Sequence, residues 1–491
     1  MKRLHCLLLA LLTALPLVAC GAEPAEKETA DTPETVVDET AAETETETET
    51  EEETMPPLSV PADLDYGGYE AHIYSFQHSG YHWEHVAEEL TGEVLNDAIY
   101  NRNLATSDLL NVKITAVINK WDNDNFRYMV RTSAMSGSDE YDIYTGNTYN
   151  STYLSANGYY YDVTKMPYID PLNSPWWNKS AYEELSIGDK AFLLMGDICA
   201  SNYSLEAVFF NKELITNNDL ENPYTMVYED RWLLDNMIEM TKDFYQDLNG
   251  NGVRDVESGD VYGIYGASHS VCNMAYYYLK IVEKTEDNYI KVNFGSERNE
   301  EILTKLKDWF TASDGFLYEP DGWTDYVQFA EYENCVFVMQ SLQRCVALRD
   351  YDLDYGIVPI PKYDELQEDF TAVGTGLVVS FPVSATDIER SAAIADTLSY
   401  YGRLYVLPAY VDNTLMYKGT RDEDAAKMIE IILDSVFYDF GKEYSSFTGW
   451  SCAMLDFQRT NQGFASFYEA RNQSADKELY DVADKILALE Q

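Results

Sequence analysis

From Tyr69 onward the chain alternates two hydrophobic rhythms. Tyr69 to Phe76 (YEAHIYSF) alternates with the period of two expected of a strand. Val94 to Leu110 has helical spacing with charged and polar residues on one side, and Asn111 to Val117 (NVKITAV) is β-branched and strand-like. Asn125 to Met135 repeats the helical spacing and leads into Tyr141 to Thr145 (YDIYT). Strand, helix, strand, helix, strand is the order of a parallel, doubly wound sheet, whose ligands sit outside the carboxyl ends of the strands. That nominates the loops QHSGYHW at 77–83 and TGNTYNS at 145–151.

The same order restarts downstream. Glu206 to Phe210 (EAVFF) reads as a strand, Trp232 to Tyr245 as an amphipathic helix and Val261 to Tyr265 as another strand. Glu300 to Phe310 is helical, while Cys335 to Met339 (CVFVM) and Gly376 to Phe381 (GLVVSF) read as buried strands. Ile388 to Tyr401 and Ala425 to Val436 carry good apolar stripes at helical spacing. Two α/β units are therefore expected, with no long internal repeat and no further membrane span beyond the N-terminal region.

The first 57 residues differ from the rest. Lys2 and Arg3 precede an apolar run from Leu4 to Leu17, too short to cross a bilayer and stay, so the opening reads as a signal peptide at 1–20. Leu17-Val18-Ala19-Cys20 followed by Gly21 resembles a bacterial lipobox, in which the Cys20 thiol receives a diacylglycerol and becomes the mature N-terminus. From 21 to 57 the composition narrows to Glu, Thr, Ala and Pro, including TETETETEEET at 44–54. So few apolar side chains cannot offset the entropy of ordering, and like charges keep the segment extended, so 21–57 is expected to be a disordered acidic tether.

Removing that segment leaves the charge lopsided. Of 34 basic and 85 acidic residues, 1–57 hold 3 and 14, leaving 31 and 71 and a net charge of −40 on the remainder. Phosphates and anionic lipid surfaces would be repelled, so nucleic acid is not an expected partner. With Cys6 and Cys20 in the leader, the rest are Cys199, Cys272, Cys335, Cys345 and Cys452, an odd number without a Cys-x-x-Cys pair. This is no disulfide scaffold; Cys335 and Cys345 flank an apolar segment and could pair, with buried free thiols the expectation set against that.

Several blocks resemble the extracellular solute-binding proteins of bacterial ABC importers, in the group that carries carbohydrate binders. They are GEVLNDAIYNRN from Gly92, YDIYTGN from Tyr141, PWWNKSAYEELSIGDKAFLLMGD from Pro175 and AVFFNKEL from Ala207, then DLNGNGVRDVESGDVYGI from Asp247, YGIVPIPKYDELQ from Tyr355 and GTGLVVSFP from Gly374. The likeness runs from about residue 69 to the C-terminus, and the order and spacing of the blocks carry it. It implies a two-lobed, periplasmic-binding-protein-like α/β fold, with doubly wound sheets and interlobe crossovers. Lobe I would be 58–195 with 323–363, and lobe II 197–322 with 372–491, the C-terminal helices packing across both. Crossings would fall near Gly196, Gly322 and Gly374, where glycine absorbs backbone rotation without a Cβ clash. The implied function is a monomeric, lipid-anchored receptor on the outer face of the membrane that hands a sugar or other small solute to a permease and does no chemistry. A surface carbohydrate-active enzyme and a receptor feeding a sensor kinase are the alternatives.

Sugar sites need flat rings against C–H faces and amide, carboxylate or hydroxyl partners for the OH groups. The strand-end loops of lobe I offer Gln77, His78, Tyr81, Thr145 and Asn147, lobe II offers Asn202, Tyr203, Tyr265 and Ser268, and Gln340 and Ser341 follow the return strand. Trp450 (FTGWS) is a candidate for the C-terminal wall of the cleft or a buried anchor for the last helices, whereas Trp176 and Trp177 are expected to pack against lobe I. Histidines 78, 82 and 85 have no matching distal cluster, and no His-Glu-x-x-His, Gly-x-Ser-x-Gly or Walker loop is present, so enzyme activity has no motif behind it.

One further motif is chemical. QDLNGNGVRDVESGDVYG places Asp247, Asn249, Asn251 and Asp255 at positions 1, 3, 5 and 9 of an EF-hand-like loop, with Gly252 at 6 and the Val253 carbonyl at 7. Position 12 is Ser258, so Glu257 or Asp260 must supply the closing carboxylate. Similar solute-binding proteins carry a comparable calcium loop, often with an acid after the position-9 Asp, where this chain has Val256. Structural calcium is the expectation, set against an Asn-Gly turn that needs no metal.

Overall fold

A computed structural model describes residues 55–77, 84–254, 260–267, 273–319, 329, 331, 333–348, 350–373, 376–416, 423–444, 449–450 and 453–490. The expected order of elements appears from the first strand. β1 (Tyr69–Phe76) is followed by α1 (Val94–Leu110), whose first turn is capped by Glu93 accepting from the Leu95 and Asn96 amides. Asn111, at φ 50°, ends that helix in the left-handed conformation and turns the chain directly into β2 (Val112–Asn119). Asp122 caps α2 (Asn123–Ser136), Gly137 closes it at φ 65°, and β3 (Ile143–Asn147) leads into α3 (Thr148–Ala156) with Asn147 as its cap.

These strands form a sheet in the order β13-β3-β1-β2, where β13 is Leu377–Ser380. β1 runs parallel to both β2 and β3, and β13 runs antiparallel to β3. Leu194 and Val379 exchange backbone hydrogen bonds of 2.9 and 2.7 Å on the far side of β13.

The second sheet contains β4 (Glu206–Asn211), β5 (Tyr245–Gln246), β6 (Val261–Ala267), β9 (Phe316–Glu319), β10 (Cys335–Ser341) and β11 (Tyr355–Val358). Its order is β11-β4-β10-β6-β5, with β9 parallel to β6. β10 is parallel to β6, and β4 is antiparallel to both β10 and β11. Between β6 and β9, β7 (Val282–Lys284) and β8 (Ile290–Val292) make a separate hairpin.

Each sheet thus contains one long-range reversed strand, and each is delivered by a passage between the sheets. The chain enters the second sheet through β4 after 195–205, and returns to the first through β13 after β12 (Ala372–Val373). This corrects the expected division. Strands within 323–363 belong to the second sheet rather than the first, and β13, expected in lobe II, completes the first. Gly322 lies outside the described residues, and β9 before it and β10 after it lie in the same sheet rather than in different ones. Gly374 lies outside the described residues, while Gly196 is required by packing: a Cβ there would come within 2.4 Å of the Trp177 ring.

The C-terminal helices pack on both halves. α4 (Glu297–Ala312) supports the second sheet beside β9; α5 (Ile388–Tyr401) and α6 (Leu407–Met416) lie against α1, and α7 (Glu423–Asp434) against β11. A last strand, β14 (Val436–Phe437), pairs with β12, and α8 (Asn472–Leu487) reaches α3. Cys199, Cys335 and Cys345 are buried thiols. Among the described residues, no helix is long and apolar enough to cross a membrane.

Candidate solute-binding cleft

The passage at 195–205 is where backbone, buried charge and open space meet. Arg102, fully buried on α1, donates to the Ile198 carbonyl at 2.8 Å and to the Glu84 and His85 carbonyls at 3.2 and 3.3 Å. The Glu84 carboxylate accepts from the Ser201 amide at 2.6 Å. Burial pushes the Glu84 carboxyl up to about 7, with the Ser201 bonds and the Arg102 charge pulling it back. The buried Arg102, through the Ile198 carbonyl, and the buried Glu84, through the Ser201 amide, therefore fix the passage to the first half of the molecule. His85, whose ring nitrogen lies 2.9 Å from Thr145 Oγ1, is held neutral by burial, which lowers its pKa to about 3.

On the passage itself, Gly196, Asp197, Asn202 and Tyr203 line a cavity of about 600 Å³. Its other walls are Trp177 and Asn178, Arg403 and Leu407 before and on α6, Glu430 and Leu433 on α7, and Tyr438. This is the size range of a small-molecule site, and its place between two structural halves is where such sites recur. Asn202 Nδ2 donates to the Gly196 carbonyl at 2.9 Å, and the Tyr203 ring packs on Tyr410 with centroids 5.4 Å apart. Burial raises the Asp197 carboxyl to about 7, opposed by Arg403, whose Nη1 is 3.6 Å from Asp197 Oδ2. With Asp412 and Asp434 also in the wall, four acids face Lys179 and Arg403, an excess that disfavours anions.

The expected contacts divide sharply. Asn202 and Tyr203 line the cavity. Gln77 lies at the carboxyl end of β1, its amide donating to the Asn119 carbonyl at 2.8 Å, and Gln340 and Ser341 sit at the end of β10, with Ser341 Oγ donating to the Ser204 carbonyl. Asn147 Oδ1 caps α3 by accepting from the Asn150 amide at 2.9 Å. Three expectations are corrected by burial. Thr145 is enclosed against His85, and Tyr265 is packed within the second sheet's core. Trp450 stacks on Phe294 at 3.9 Å and donates to Asp476, making it an anchor for the C-terminal helices rather than a cleft wall. His78, Tyr81, Ser268 and Cys20 lie outside the described residues. Trp176 and Trp177 are both buried and donate to Asp396 Oδ1, at 2.7 and 2.8 Å, while Trp177 also contributes to the cavity wall.

Sequence reasoning missed Asp197 and Arg403 in the cavity wall. Glu206 opens β4 and accepts from Asn273 Nδ2 at 3.0 Å and from the Tyr277 hydroxyl. The Gly196-Asp197 pair at the crossing was a usable signal, but Arg403 comes from over 200 residues away and had none.

The 247–254 loop holds its donors as an oxygen-lined turn. Asp247 accepts from the Gly250 and Gly252 amides at 2.6 and 2.9 Å, Asn249 from Asn251 at 2.8 Å and Asn251 from Val253 at 2.6 Å. Gly250 and Gly252 take φ of 71° and 72°, and Arg254 ties the loop to the second sheet through the Phe316 carbonyl at 3.1 Å. The alternation of side-chain oxygens fits positions 1, 3 and 5 of a calcium loop. Asp255 and Glu257 lie outside the described residues, and Asp260 is buried with one oxygen on the Tyr245 hydroxyl at 3.0 Å. Among the described residues no cluster of three or more His, Cys, Asp or Glu could hold a metal.

No protein-family model and no curated protein sequence matches the chain. Solved structures do. An ABC substrate-binding protein from Listeria monocytogenes, in complex with cycloalternan, is 14% identical with a TM-score of 0.52 over 85% of this chain and 98% of its own. An ABC transporter solute-binding protein from Thermotoga lettingae, bound with alpha-D-tagatose, is 11% identical with a TM-score of 0.52, covering 84% of this chain and 100% of its own. UgpB from Mycobacterium tuberculosis, in complex with glycerophosphocholine, is 10% identical with a TM-score of 0.52 over 86% and 99%. The fold of this chain is the two-lobed fold of ABC-transporter solute-binding proteins.

Proposed function

We propose that this protein is a member of the solute-binding class of ABC-importer components that captures a carbohydrate and delivers it intact to a membrane permease. The observation that carries the reading is the cavity of about 600 Å³ on the first interlobe passage, in a fold shared along nearly the whole length of sugar-bound neighbours. Its chemistry supports a neutral, hydroxyl-rich solute: an aromatic ring at Tyr203, an amide at Asn202 and a surplus of carboxylates suit hydroxyl donors better than phosphates. Binding, not turnover, is the proposed activity.

Cys20 would carry a lipid that holds the protein at the outer face of the cell membrane through the 21–57 tether. The 247–257 loop would bind a structural calcium ion that braces the second half without touching solute. Thermal-shift and calorimetric screening of mono- and oligosaccharides tests the core of the proposal. A saccharide at about 100 times its Kd should stabilise the fold by about 2.7 kcal/mol and be recovered unchanged. Hydrolysis of the sugar, or no response across the panel, would overturn it.

A further inference from the structure

Trp121 stands apart from the other described tryptophans. Trp176, Trp177, Trp232, Trp309 and Trp450 are at most 4% exposed, whereas Trp121 is 57% exposed. It is also at φ 58°, a left-handed conformation that a bulky residue adopts only when its surroundings impose it. The imposition is visible. The Trp121 amide donates to the Asn119 carbonyl at 3.2 Å, Asn119 Oδ1 accepts from the Asp122 amide at 3.1 Å, and Asn119 itself is 4% exposed. The indole meets the Phe76 ring edge-on, centroids 6.2 Å apart.

Position gives this strained, displayed ring its meaning. Phe76 and Asn119 end the paired parallel strands β1 and β2, so Trp121 sits at the carboxyl edge where doubly wound sheets receive ligands. Two residues further along the chain, Asn123 Oδ1 accepts from Asn147 Nδ2 at 3.3 Å, which ties this turn to the end of the neighbouring strand β3. A flat, water-facing indole braced edge-on by Phe76 is the surface that stacks on the C–H face of a pyranose.

The geometry points to Trp121 as a saccharide-stacking residue, a ledge that takes a sugar unit of an oligosaccharide at the carboxyl edge of the first sheet. This rests on the solute-binding reading above and adds to it a stacking residue outside the walls of the cavity of about 600 Å³. Glycine tolerates φ 58° without a Cβ penalty, so Trp121→Gly removes the ring while relieving the backbone and should melt no lower than the parent.

The test is calorimetry on the full chain with linear gluco-, manno- and xylo-oligosaccharides of two to six units, comparing the parent, Trp121→Gly and Trp121→Phe. The expected result is an affinity for the best oligosaccharide weakened about tenfold or more in Trp121→Gly and partly kept in Trp121→Phe. The parent's tryptophan emission should shift on saturation, and the part of that shift that comes from Trp121, beyond any contribution of Trp177 in the cavity wall, should be lost in both variants. Parent-like affinity in Trp121→Gly, with saccharide still bound, overturns the ledge alone. No binding by the parent to any saccharide overturns the ledge together with the carbohydrate reading.

Discussion

Replacing Asp396 with Ala tests what the Trp176–Trp177 pair is for. One carboxylate oxygen accepts both indole N–H groups, at 2.7 and 2.8 Å, and Asp396 and both rings are buried. Alanine leaves two buried donors without that acceptor, at a cost of about 1–3 kcal/mol each, or roughly 2–6 kcal/mol together. The carboxylate has an offsetting cost of its own, since burial raises its pKa from 3.8 to about 6.

The sign follows from linkage. A raised folded pKa contributes stability that is complete below the unfolded value and is lost as pH rises through the folded one. Between pH 5 and pH 8 the parent therefore loses about 1–2 kcal/mol at this site. Asp396→Ala lacks that loss, so its deficit should be larger at pH 5 than at pH 8 by the same amount.

Urea unfolding followed by tryptophan fluorescence reads both quantities. The midpoint at pH 5 should fall by roughly 0.5–2 M, and Asp396→Asn, which keeps an acceptor oxygen, should recover much of it. A deficit below about 1 kcal/mol at both pH values would refute the packing account. So would unchanged stability with solute binding abolished, because the indoles would then be serving a ligand.

Other consequences are separable. Glu84 and Asp197, raised by burial to about 7, and Asp439, raised to about 6, should make parent stability decline from pH 5 to pH 8, and Glu84→Gln should flatten that decline when Tm is measured across the range. Chelation with EDTA should lower Tm and leave the calorimetric number of solute sites unchanged. Asp247→Ala should remove that EDTA effect, and an EDTA-insensitive parent would end the calcium proposal. Cys20→Ala should abolish incorporation of a radiolabelled fatty acid and shift the protein from the membrane fraction to the medium; persistent labelling would rule out that anchor site.

Local pattern alone determined much of this protein. The alternation in 69–76, the helical spacing of 94–110 and the run at 335–339 report which side chains seek apolar surroundings, and β1, α1 and β10 form there because that preference acts between neighbours in the chain. The conformational signature at 247–252 was legible for the same reason: Asx bonds and left-handed glycines span at most five residues. Tertiary structure decided which sheet each strand joined. β10 and β13 are both short apolar runs, and nothing in either states that β10 pairs with β4 and β13 with β3, because partner choice depends on pairing across more than 100 residues. It also decided which aromatic residues face water. Trp450 and Trp121 look alike as sequence, yet one is enclosed by Phe294 and the C-terminal helices, while the other is held outward by a turn locked through Asn119. The site belongs to that second kind of information, since Asp197 and Arg403 meet only after the chain has crossed between the sheets and returned.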